Sequence, residues 1–527
     1  MFIIKKRFSS IVYFITTFKL PEFQSTANAA ASVEFRWNVF SFFLLVSFAI
    51  TPFLKLWVVP ALAEHYLPPK VPLHLVHLKS YYEFPDILPA SHPDVITEHL
   101  VHIFFSNKNI DLARFPMECF STTTNFAIRG RYNFMKISSN ITGKSKSECG
   151  VTFYKLECPF VQSVIEDTYI RVNRGPHILV NASYADRKDR DLVYCMRPLH
   201  NGHHSWDQIR TFIEVARALD VNLIHAYVNS ISADVLELLQ KYELEKWIRV
   251  DPGYDFKQLE TLPGKPFDSS SEYLYQTAAA MDCHAEHRQY TEFITFLDWN
   301  DLLLPRSRHT LPMEVAAIFG YNQIAVALQL GKNPAILRNT TKLDSLEVGL
   351  RISQYGRRFI YITQPRKIFG FTARGAVFHT LYGNRAEMRG DGVKTLTKIT
   401  HLNSDYLIGL SIQGTDWDNL VTRQKKPSVV ANFTEIFPDD RSVLKNFDLN
   451  DFPTSKVRET VNPDFHGCQI RANARLQSID SRICPQTCPT IVDENTVSTY
   501  MEYKLGIQID RSVFYHVDVV RNMTIVA

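Results

Sequence analysis

The chain has 527 residues, of which 45% are hydrophobic and 21% are charged. A chain of this length can bury a sizeable core in two or three structural units, which argues against disorder of the whole chain. The formal net charge is only +4, and no long Lys/Arg block follows the first few residues, so we expect no nucleic-acid partner.

An apolar run near the amino terminus predicts a membrane anchor. Residues 37–54 carry no charge, and apolar character resumes after Lys55. About 20 apolar residues span a bilayer, and a lysine near one end can reach the headgroups, so we predict a transmembrane helix over 37–59. The basic residues in 1–36 keep that tail in the cytosol by the positive-inside rule, which gives a single-pass type II topology. A cleaved signal peptide ending near Ala61-Leu62-Ala63 is the alternative, although the leader would be unusually long.

The region beyond residue 59 has features of an extracytoplasmic protein. N-x-[S/T] sequons are spread along it, at Asn140, Asn181, Asn339, Asn432 and Asn522. The chain has eight cysteines, which we expect to form disulfides in an oxidising compartment, with the pairing left open. A zinc site is the alternative, but no two C-x-x-C pairs occur.

The sequence changes character several times after the anchor. Residues 60–100 are rich in Pro and His with little periodicity, which is typical of a stem. Short β-type runs separated by polar turns predict a small β-rich subdomain over 101–190. Residues 411–527 have weaker periodicity, and we interpret them as a carboxyl-terminal extension.

Strands and helices alternate between residues 191 and 410. The segments 191–196, 221–228 and 247–250 are typical of buried strands, and the two segments between them have apolar residues at helical spacing. A helix is expected from about 271 to 290, followed by strands at 293–297 and 321–330. This alternation predicts an α/β domain with a mostly parallel sheet flanked by helices. No G-x-G-x-x-G or P-loop follows a strand, which argues against a Rossmann dehydrogenase or a P-loop nucleotide hydrolase.

The motif Asp298-Trp299-Asn300-Asp301 directly follows the apolar strand 293–297. Other D-x-[D/N] copies occur in the chain, but only this one follows a long apolar strand. Acidic residues at a strand's carboxyl end project into the crevice where open α/β sheets bind ligands. Hard oxygen ligands suit Mn²⁺ or Mg²⁺, which would neutralise a leaving nucleoside diphosphate. The motif therefore favours a nucleotide-sugar transferase.

Several landmarks in residues 190–410 resemble glycosyltransferase family 92, formerly a domain of unknown function. They are Cys195-Met196-Arg197-Pro198, Trp206 through Glu214, Ala226 through Tyr242, Asp282-Cys283 and the acidic turn. The resemblance implies a GT-A-like fold, a UDP-sugar donor with galactose as the sugar in characterised members, dependence on Mn²⁺ (or Mg²⁺), and inverting transfer onto a glycan or glycoprotein acceptor. It also implies a Golgi membrane protein whose catalytic part is lumenal.

Two positions depart from the family pattern. Asn300 replaces the second aspartate of an Asp-x-Asp-Glu turn, and Glu286 stands where a basic residue is usual, with Arg288 two positions later. The alternative function is therefore a catalytically weakened paralogue that binds glycan or nucleotide sugar without turnover. A lumenal metal-dependent hydrolase would need a second acidic or His cluster, and none is adjacent in sequence.

Each candidate site residue has a predicted role. Asp298, Asn300 and His401 are predicted metal ligands, and His379 is a weaker candidate in an apolar context. The predicted substrate and nucleotide residues are Arg197 and Arg288 for the diphosphate, Asn229 for uracil, and Asp282 from the Asp-Cys landmark. The predicted catalytic residues are Asp301, as a ligand or sugar-hydroxyl acceptor with a solvated carboxylate as the alternative, and Glu387 and Asp391, as candidates for the general base that inversion requires.

Overall fold

The structure is a computed structural model that describes part of the chain. The described residues are 73–83, 97–107, 117–123, 134–137, 140–144, 149–161, 165–172, 176–200, 206–254, 256, 271–306, 310–338, 347–350, 359–372, 375–378, 398–402, 406–412, 428–432, 496–499, 502–509, 512–518 and 523–525. The predicted transmembrane helix 37–59 lies outside these ranges. Within them, no helix is both long and apolar enough to cross a bilayer.

The first part of the described chain is built from strands. They are β1 (Leu73–Glu83), β2 (Thr97–Ser106), β3 (Met117–Thr123), β4 (Phe134–Ile137), β5 (Asn140–Lys144), β6 (Thr152–Val161), β7 (Ile165–Val172), β8 (His177–Val180) and β9 (Ala182–Tyr184). The antiparallel run β1-β2-β6-β5 forms one sheet, and β4-β3-β7-β8 forms another. A disulfide between Cys119 of β3 and Cys158 of β6 links the two sheets.

The structure differs from the predicted stem at Leu73–Glu83. This segment is a strand that pairs with β2 along almost its whole length. The histidines of this strand interrupt the apolar pattern, so the sequence did not indicate a strand here. His74 and His77 are each 1% exposed, and His77 Nε2 lies 2.7 Å from the Ser80 hydroxyl, so residues that appear polar in sequence are core residues here.

The next elements alternate between strand and helix. They are β10 (Arg190–Met196), α1 (Trp206–Ala218), β11 (Leu223–Val228), β12 (Ser230–Ser232), α2 (Ala233–Leu244), β13 (Ile248–Pro252), α3 (Glu272–His287) and β14 (Thr291–Leu297). Strands β13, β11, β10 and β14 lie side by side in that order and are parallel. This alternation confirms the predicted mixed α/β architecture. The prediction rested on apolar periodicity, which is the main sequence signal of such elements.

The sheet continues beyond β14 with antiparallel and parallel strands. The elements are β15 (Asp301–Pro305), α4 (Leu311–Tyr321), β16 (Ala325–Arg338), β17 (Glu347–Leu350), β18 (Phe359–Thr363), a 3-10 turn (Pro365–Lys367), β19 (Ile368–Thr372), β20 (Gly375–Phe378), β21 (Lys398–Leu402) and β22 (Leu407–Ile412). Strand β18 runs antiparallel to both β14 and β16. The strand predicted at 321–330 begins later, because α4 extends to Tyr321, and it continues to Arg338.

Helix α3 is buried around its whole circumference. Residues 273–287 are all buried, because the helix packs against strands β19, β10 and β14 and also contacts β1 and β2. A disulfide between Cys195 of β10 and Cys283 fastens the helix to the sheet. This packing on several elements explains why α3 has no solvent-exposed face over residues 273–287, and why its polar side chains find partners inside the protein.

Strands of the predicted carboxyl-terminal extension join other sheets. They are β23 (Ser428–Asn432), β24 (Thr496–Thr499), β25 (Glu502–Ile509), β26 (Ser512–Asp518) and β27 (Met523–Ile525). Strand β26 pairs parallel to β1, β24 pairs with β12, and β23 pairs with β17. The described strands of this region therefore extend the earlier sheets instead of forming a separate appended unit.

Candidate functional site

The acidic turn lies between β14 and β15, at the carboxyl edge of the parallel strands. The Asp301 backbone N–H donates to the Asp298 carbonyl oxygen at 2.9 Å. The Asp298 backbone N–H donates to Asp301 Oδ2 at 3.0 Å. Both ends of the turn are therefore closed by hydrogen bonds, and the Asp301 carboxylate has a structural role in addition to its charge.

Two basic side chains reach the carboxylates of this turn. Arg197 follows β10, the parallel neighbour of β14, and its Nη1 lies 2.7 Å from Asp298 Oδ1. Lys332 of β16 places its Nζ 2.5 Å from Asp301 Oδ2 and 3.5 Å from Asp298 Oδ2. Sequence analysis assigned a diphosphate role to Arg197 but missed Lys332. The one sequence signal that could have indicated Lys332 is its charge, which stands in the interior of the largely uncharged strand from Ala325.

Asp301 is the most deeply buried charge of the turn, with 0% exposure. Burial raises the pKa of Asp301, while Lys332 opposes the rise and the neighbouring Asp298 charge adds to it. Its Oδ1 has no hydrogen-bond partner among the described residues. That oxygen is therefore a buried acceptor that is shielded from solvent.

The two middle residues of the turn anchor it to neighbouring elements. Trp299 donates from Nε1 to the Arg197 carbonyl oxygen at 3.1 Å, and its ring packs 5.5 Å from that of Phe212 on α1. The Asn300 side chain donates from Nδ2 to the Ile412 carbonyl oxygen at 3.3 Å, and the Asn300 backbone carbonyl oxygen accepts from the Ile412 N–H at 2.7 Å. These contacts with α1 and β22 fix the orientation of the acidic side chains.

Asn229 follows β11 at the same edge of the sheet. Its Nδ2 donates to the Tyr254 carbonyl oxygen at 2.6 Å. A Cβ on Gly253 would lie 2.0 Å from Asn229 Oδ1, so a glycine is needed there for this arrangement. The strand order brings Asn229, Arg197 and Asp298 to one edge, and the predicted uracil contact stays a prediction.

Asp282 and Arg288 lie away from the acidic turn. Asp282 is in the middle of α3, where it accepts hydrogen bonds from Tyr81 at 2.6 Å and Tyr227 at 2.9 Å. Arg288 precedes β14, at the opposite end of that strand from Asp298, and donates from Nε to Glu83 Oε2 at 2.8 Å. The structure therefore brings neither residue to the predicted diphosphate position.

Some predicted residues are placed by backbone alone or lie outside the described ranges. His401 is in β21, and its register partner on β16 is Gln329, three residues before Lys332. Asn140 and Asn432 are in strands β5 and β23, and Asn181 is exposed between β8 and β9. Glu387, Asp391, His379, Asn339 and Asn522 fall outside the described residues.

The side chains of the turn do not fit a divalent cation as they are arranged. Mn²⁺ or Mg²⁺ needs several oxygen ligands with free lone pairs, but Arg197 and Lys332 already contact the carboxylates of Asp298 and Asp301. Asn300 would add an oxygen without a charge. In the part of the chain that the structure describes, the His, Cys, Asp and Glu groups close enough to share an ion include none of these residues.

A second polar cluster is buried between β11, β13 and α3. His225 lies 3.0 Å from both His287 and Asp251 through its two ring nitrogens, and Arg249 bridges Asp251 and Glu286. Burial raises the pKa of Asp251, but the His225 hydrogen bond and the charges of Lys79 and Arg249 outweigh it and hold that pKa below its usual value. The acids of this cluster are paired with cations, which is how buried charges are normally accommodated.

Comparisons with known proteins connect this geometry to a family. Residues 190–371 match the model of glycosyltransferase family 92. The chain is 26% identical over 134 residues to glycosyltransferase family 92 protein F13G3.3 of Caenorhabditis elegans, and 25% identical over 134 residues to protein ZK381.2 of the same family and organism. Each alignment covers 25% of this chain and 26% of the relative, so the chain matches about a quarter of the length of these curated relatives.

Solved structures give weaker matches. A mycobacterial protein and the S. aureus TarS 1-349 structure align at 10% identity with TM-scores of 0.20 and 0.22. They cover 63% and 54% of this chain, and 84% and 80% of their own. Values this low carry no inference about the fold. The family match spans the parallel strands, the acidic turn and Lys332, so this segment, residues 190–371, is similar to glycosyltransferase family 92.

Proposed function

We propose that this chain transfers a sugar from a nucleoside diphosphate donor to a glycan acceptor. The observation that carries the proposal is the Arg197–Asp298 pair, 2.7 Å apart at the carboxyl edge of the parallel strands, inside the segment that matches the family. Open α/β sheets bind ligands at this edge, and a guanidinium group matches the geometry of phosphate oxygens.

The proposed reaction is a single displacement with inversion. The acceptor hydroxyl oxygen forms a bond to the anomeric carbon of the sugar as the bond from that carbon to the diphosphate oxygen breaks. The electron pair of the broken bond leaves on the diphosphate, and a general base takes the acceptor proton. Glu387 and Asp391 remain the candidates for that base. Arg197 stabilises the negative charge that grows on the leaving group, which is a major source of catalysis in such sites.

The finer details of the proposal rest on the family resemblance. We propose UDP-galactose as the donor and a glycan or glycoprotein as the acceptor. We also propose a GT-A-like fold, a single-pass type II topology in the Golgi membrane, and a lumenal catalytic part. The order β13-β11-β10-β14 supports the nucleotide lying across the ends of β11 and β10, beside Asn229 and Arg197.

A second candidate function is binding of glycan or nucleotide sugar without turnover. It is favoured by Asn300, which brings no charge to the acidic turn, and by the pairing of both carboxylates with basic side chains. The two functions share the donor site and differ in whether the bond to the diphosphate is broken.

The test uses full-length protein purified in detergent. Because a ligand that binds only the folded state raises the melting temperature, a thermal-shift screen of UDP-galactose, UDP-glucose and UDP-N-acetylglucosamine identifies the donor. Release of UDP with a glycan acceptor then measures transfer. Asp298→Asn should lower both signals, while Arg217→Ala, a surface control on α1, should change neither. Binding without UDP release, together with gained transfer in Asn300→Asp, would favour the second function. No shift with any nucleotide sugar would reject both.

A further inference from the structure

Lys332 occupies the space between the two carboxylates of the acidic turn. Its Nζ lies 2.5 Å from Asp301 Oδ2 and 3.5 Å from Asp298 Oδ2. With Arg197 on Asp298 Oδ1, two negative charges face two positive charges. We propose that Lys332 is a built-in counter-ion that takes the place of a divalent cation at this turn, so that Arg197 and Lys332 neutralise the donor diphosphate without a metal.

The distances show that the Lys332 ammonium and a divalent cation would compete for the same position. A divalent ion binds carboxylate oxygens at about 2.0–2.6 Å, so an ion on Asp301 Oδ2 would lie close to the ammonium that already contacts that oxygen. Two cations at that separation repel each other strongly where water is largely excluded. Asp301 is 0% exposed and Lys332 is 6% exposed, so solvent screening of this repulsion is weak.

The backbone holds Lys332 in this position. Strand β16 pairs at Lys332 with Gly409 of β22, and β22 pairs in turn with β15, which begins at Asp301. A Cβ on Gly409 would lie 2.9 Å from the Gly331 carbonyl oxygen, so a glycine allows the two strands to approach this closely. Three paired strands therefore hold Lys332 beside the acidic turn. Because Lys332 lies on a strand and not on a loop, an incoming ion could not displace it by a loop movement.

The second oxygen of the Asp301 carboxylate is also closed to a cation. Asp301 Oδ1 is buried and has no hydrogen-bond partner among the described residues. With Oδ2 engaged by Lys332 and Oδ1 shielded from solvent, the Asp301 carboxylate presents no accessible oxygen to an incoming cation. The neutralisation of the donor diphosphate rests on the proposed function, whereas the place of Lys332 at the turn instead of a cation does not.

The first experiment measures Mn²⁺ binding by electron paramagnetic resonance, with the full-length protein in detergent and no donor. We expect that the acidic turn of the natural protein binds no Mn²⁺ at millimolar concentration, and that Lys332→Met gains one site at least tenfold tighter. The double variant Lys332→Met/Asp298→Asn should lose that site. Mn²⁺ binding to the natural protein that Asp298→Asn abolishes would overturn the proposal. Binding that Asp298→Asn leaves unchanged would lie elsewhere and support it.

The second experiment measures transfer after removal of metal with EDTA. We expect the natural protein to retain its rate within twofold, and Lys332→Met to lose at least tenfold and to recover partly with added Mn²⁺. Lys332→Arg, which keeps the charge, should retain more activity than Lys332→Met and guards against a folding defect. A natural enzyme that EDTA inactivates and Mn²⁺ restores would overturn the proposal. If no sugar transfer occurs at all, the proposed function fails, and the Mn²⁺ titration still decides the counter-ion role.

Discussion

Arg197 and Asp298 follow two adjacent parallel strands, and the Arg197 guanidinium lies 2.7 Å from the Asp298 carboxylate. The pair arises from register, because Met196 is the Cα partner of Leu297 across β10 and β14. The central carbon of the Arg197 guanidinium also lies 5.8 Å from the centroid of the Phe296 ring. A buried ion pair at a sheet edge costs desolvation and gives modest stability in return, so its position at the ligand-binding edge favours a functional role.

Removing the Arg197 charge should weaken donor use. Charge-assisted hydrogen bonds contribute about 1.5–3 kcal/mol, so we expect Arg197→Ala to lower kcat/KM for the nucleotide sugar by about tenfold to a hundredfold. Arg197→Lys should recover part of the loss. The matched control is Arg217→Ala, which removes a partly exposed arginine on α1 that lies 3.6 Å from the exposed Glu245 carboxylate, away from the acidic turn. Equal kinetics in Arg197→Ala and the natural protein would contradict the assignment.

Gly253 should be intolerant of a side chain because of Asn229. In Gly253→Ala the new Cβ would lie 2.0 Å from Asn229 Oδ1, so the Asn229 amide must move and its 2.6 Å bond to the Tyr254 carbonyl oxygen is lost. Overpacking of this kind costs about 1–3 kcal/mol, which chemical denaturation measures. We also expect weaker binding of UDP by thermal shift, since Asn229 is the predicted uracil contact.

A double variant separates the two effects. Gly253→Ala/Asn229→Ala removes the clash, so the free energy of unfolding should return towards that of the natural protein while UDP binding stays weak. Gly320→Ala is the control, because a Cβ there meets nothing within 4 Å. Restored UDP binding in the double variant would show that Asn229 does not contact the nucleotide.

We expect Asp282 to contribute to the free energy of unfolding and not to donor binding. It accepts hydrogen bonds from Tyr81 and Tyr227 and lies 3.4 Å from the Lys79 ammonium. Asp282→Asn removes the charge that balances the partly exposed Lys79 ammonium and weakens the hydrogen bonds from the two tyrosines, and a hydrogen bond to a charged group contributes about 1.5–3 kcal/mol. We expect a lower free energy of unfolding in denaturant, with partial recovery in Asp282→Asn/Lys79→Met. A fully stable Asp282→Asn protein with weakened UDP binding would instead support the nucleotide role predicted from sequence.

The elements that sequence reasoning could predict are those governed by local pattern. The apolar spacing of Ile209, Phe212 and Ile213 gave helix α1, and the apolar run before Asp298 gave β14 and its acidic turn. The contacts that could not be predicted depend on pairing between distant segments. Lys332 meets Asp301 through the register of β16, β22 and β15, and no local pattern encodes that register.

The same limit explains the positions of Asp282 and Arg288. Both belong to a motif close to the acidic turn in sequence, but α3 packs against β1, about 200 residues earlier. The Tyr81 hydroxyl and the Glu83 carboxylate of that strand hold Asp282 and Arg288 away from the sheet edge. Because the buried histidines of β1 obscured its strand pattern, the partners of these residues could not be recognised from sequence.

Lys155 should make the stability of the protein depend on pH. Its ammonium is 1% exposed on β6 and has no hydrogen-bond partner among the described residues. Burial lowers the pKa of Lys155 from 10.5 to about 8, with a further contribution from the Arg288 charge, while Glu83 and Glu157 oppose the shift. That difference corresponds to about 3 kcal/mol of unfavourable burial of the charged form.

The sign follows from proton binding in the two states. Below pH 8 the lysine is charged in both the folded and unfolded chain, so the burial cost is fully present. Between about pH 8 and 10.5 the unfolded chain binds more protons, so the contribution of Lys155 to the free energy of unfolding rises with pH. We expect Lys155→Met to be more stable than the natural protein at pH 7, with the advantage shrinking towards pH 10, as measured by urea denaturation across that range. Lys241→Met, at an exposed pair with Glu237 on α2, should differ little from the natural protein at either pH. An advantage of Lys155→Met that stays constant with pH would mean that Lys155 keeps the same charge in both states.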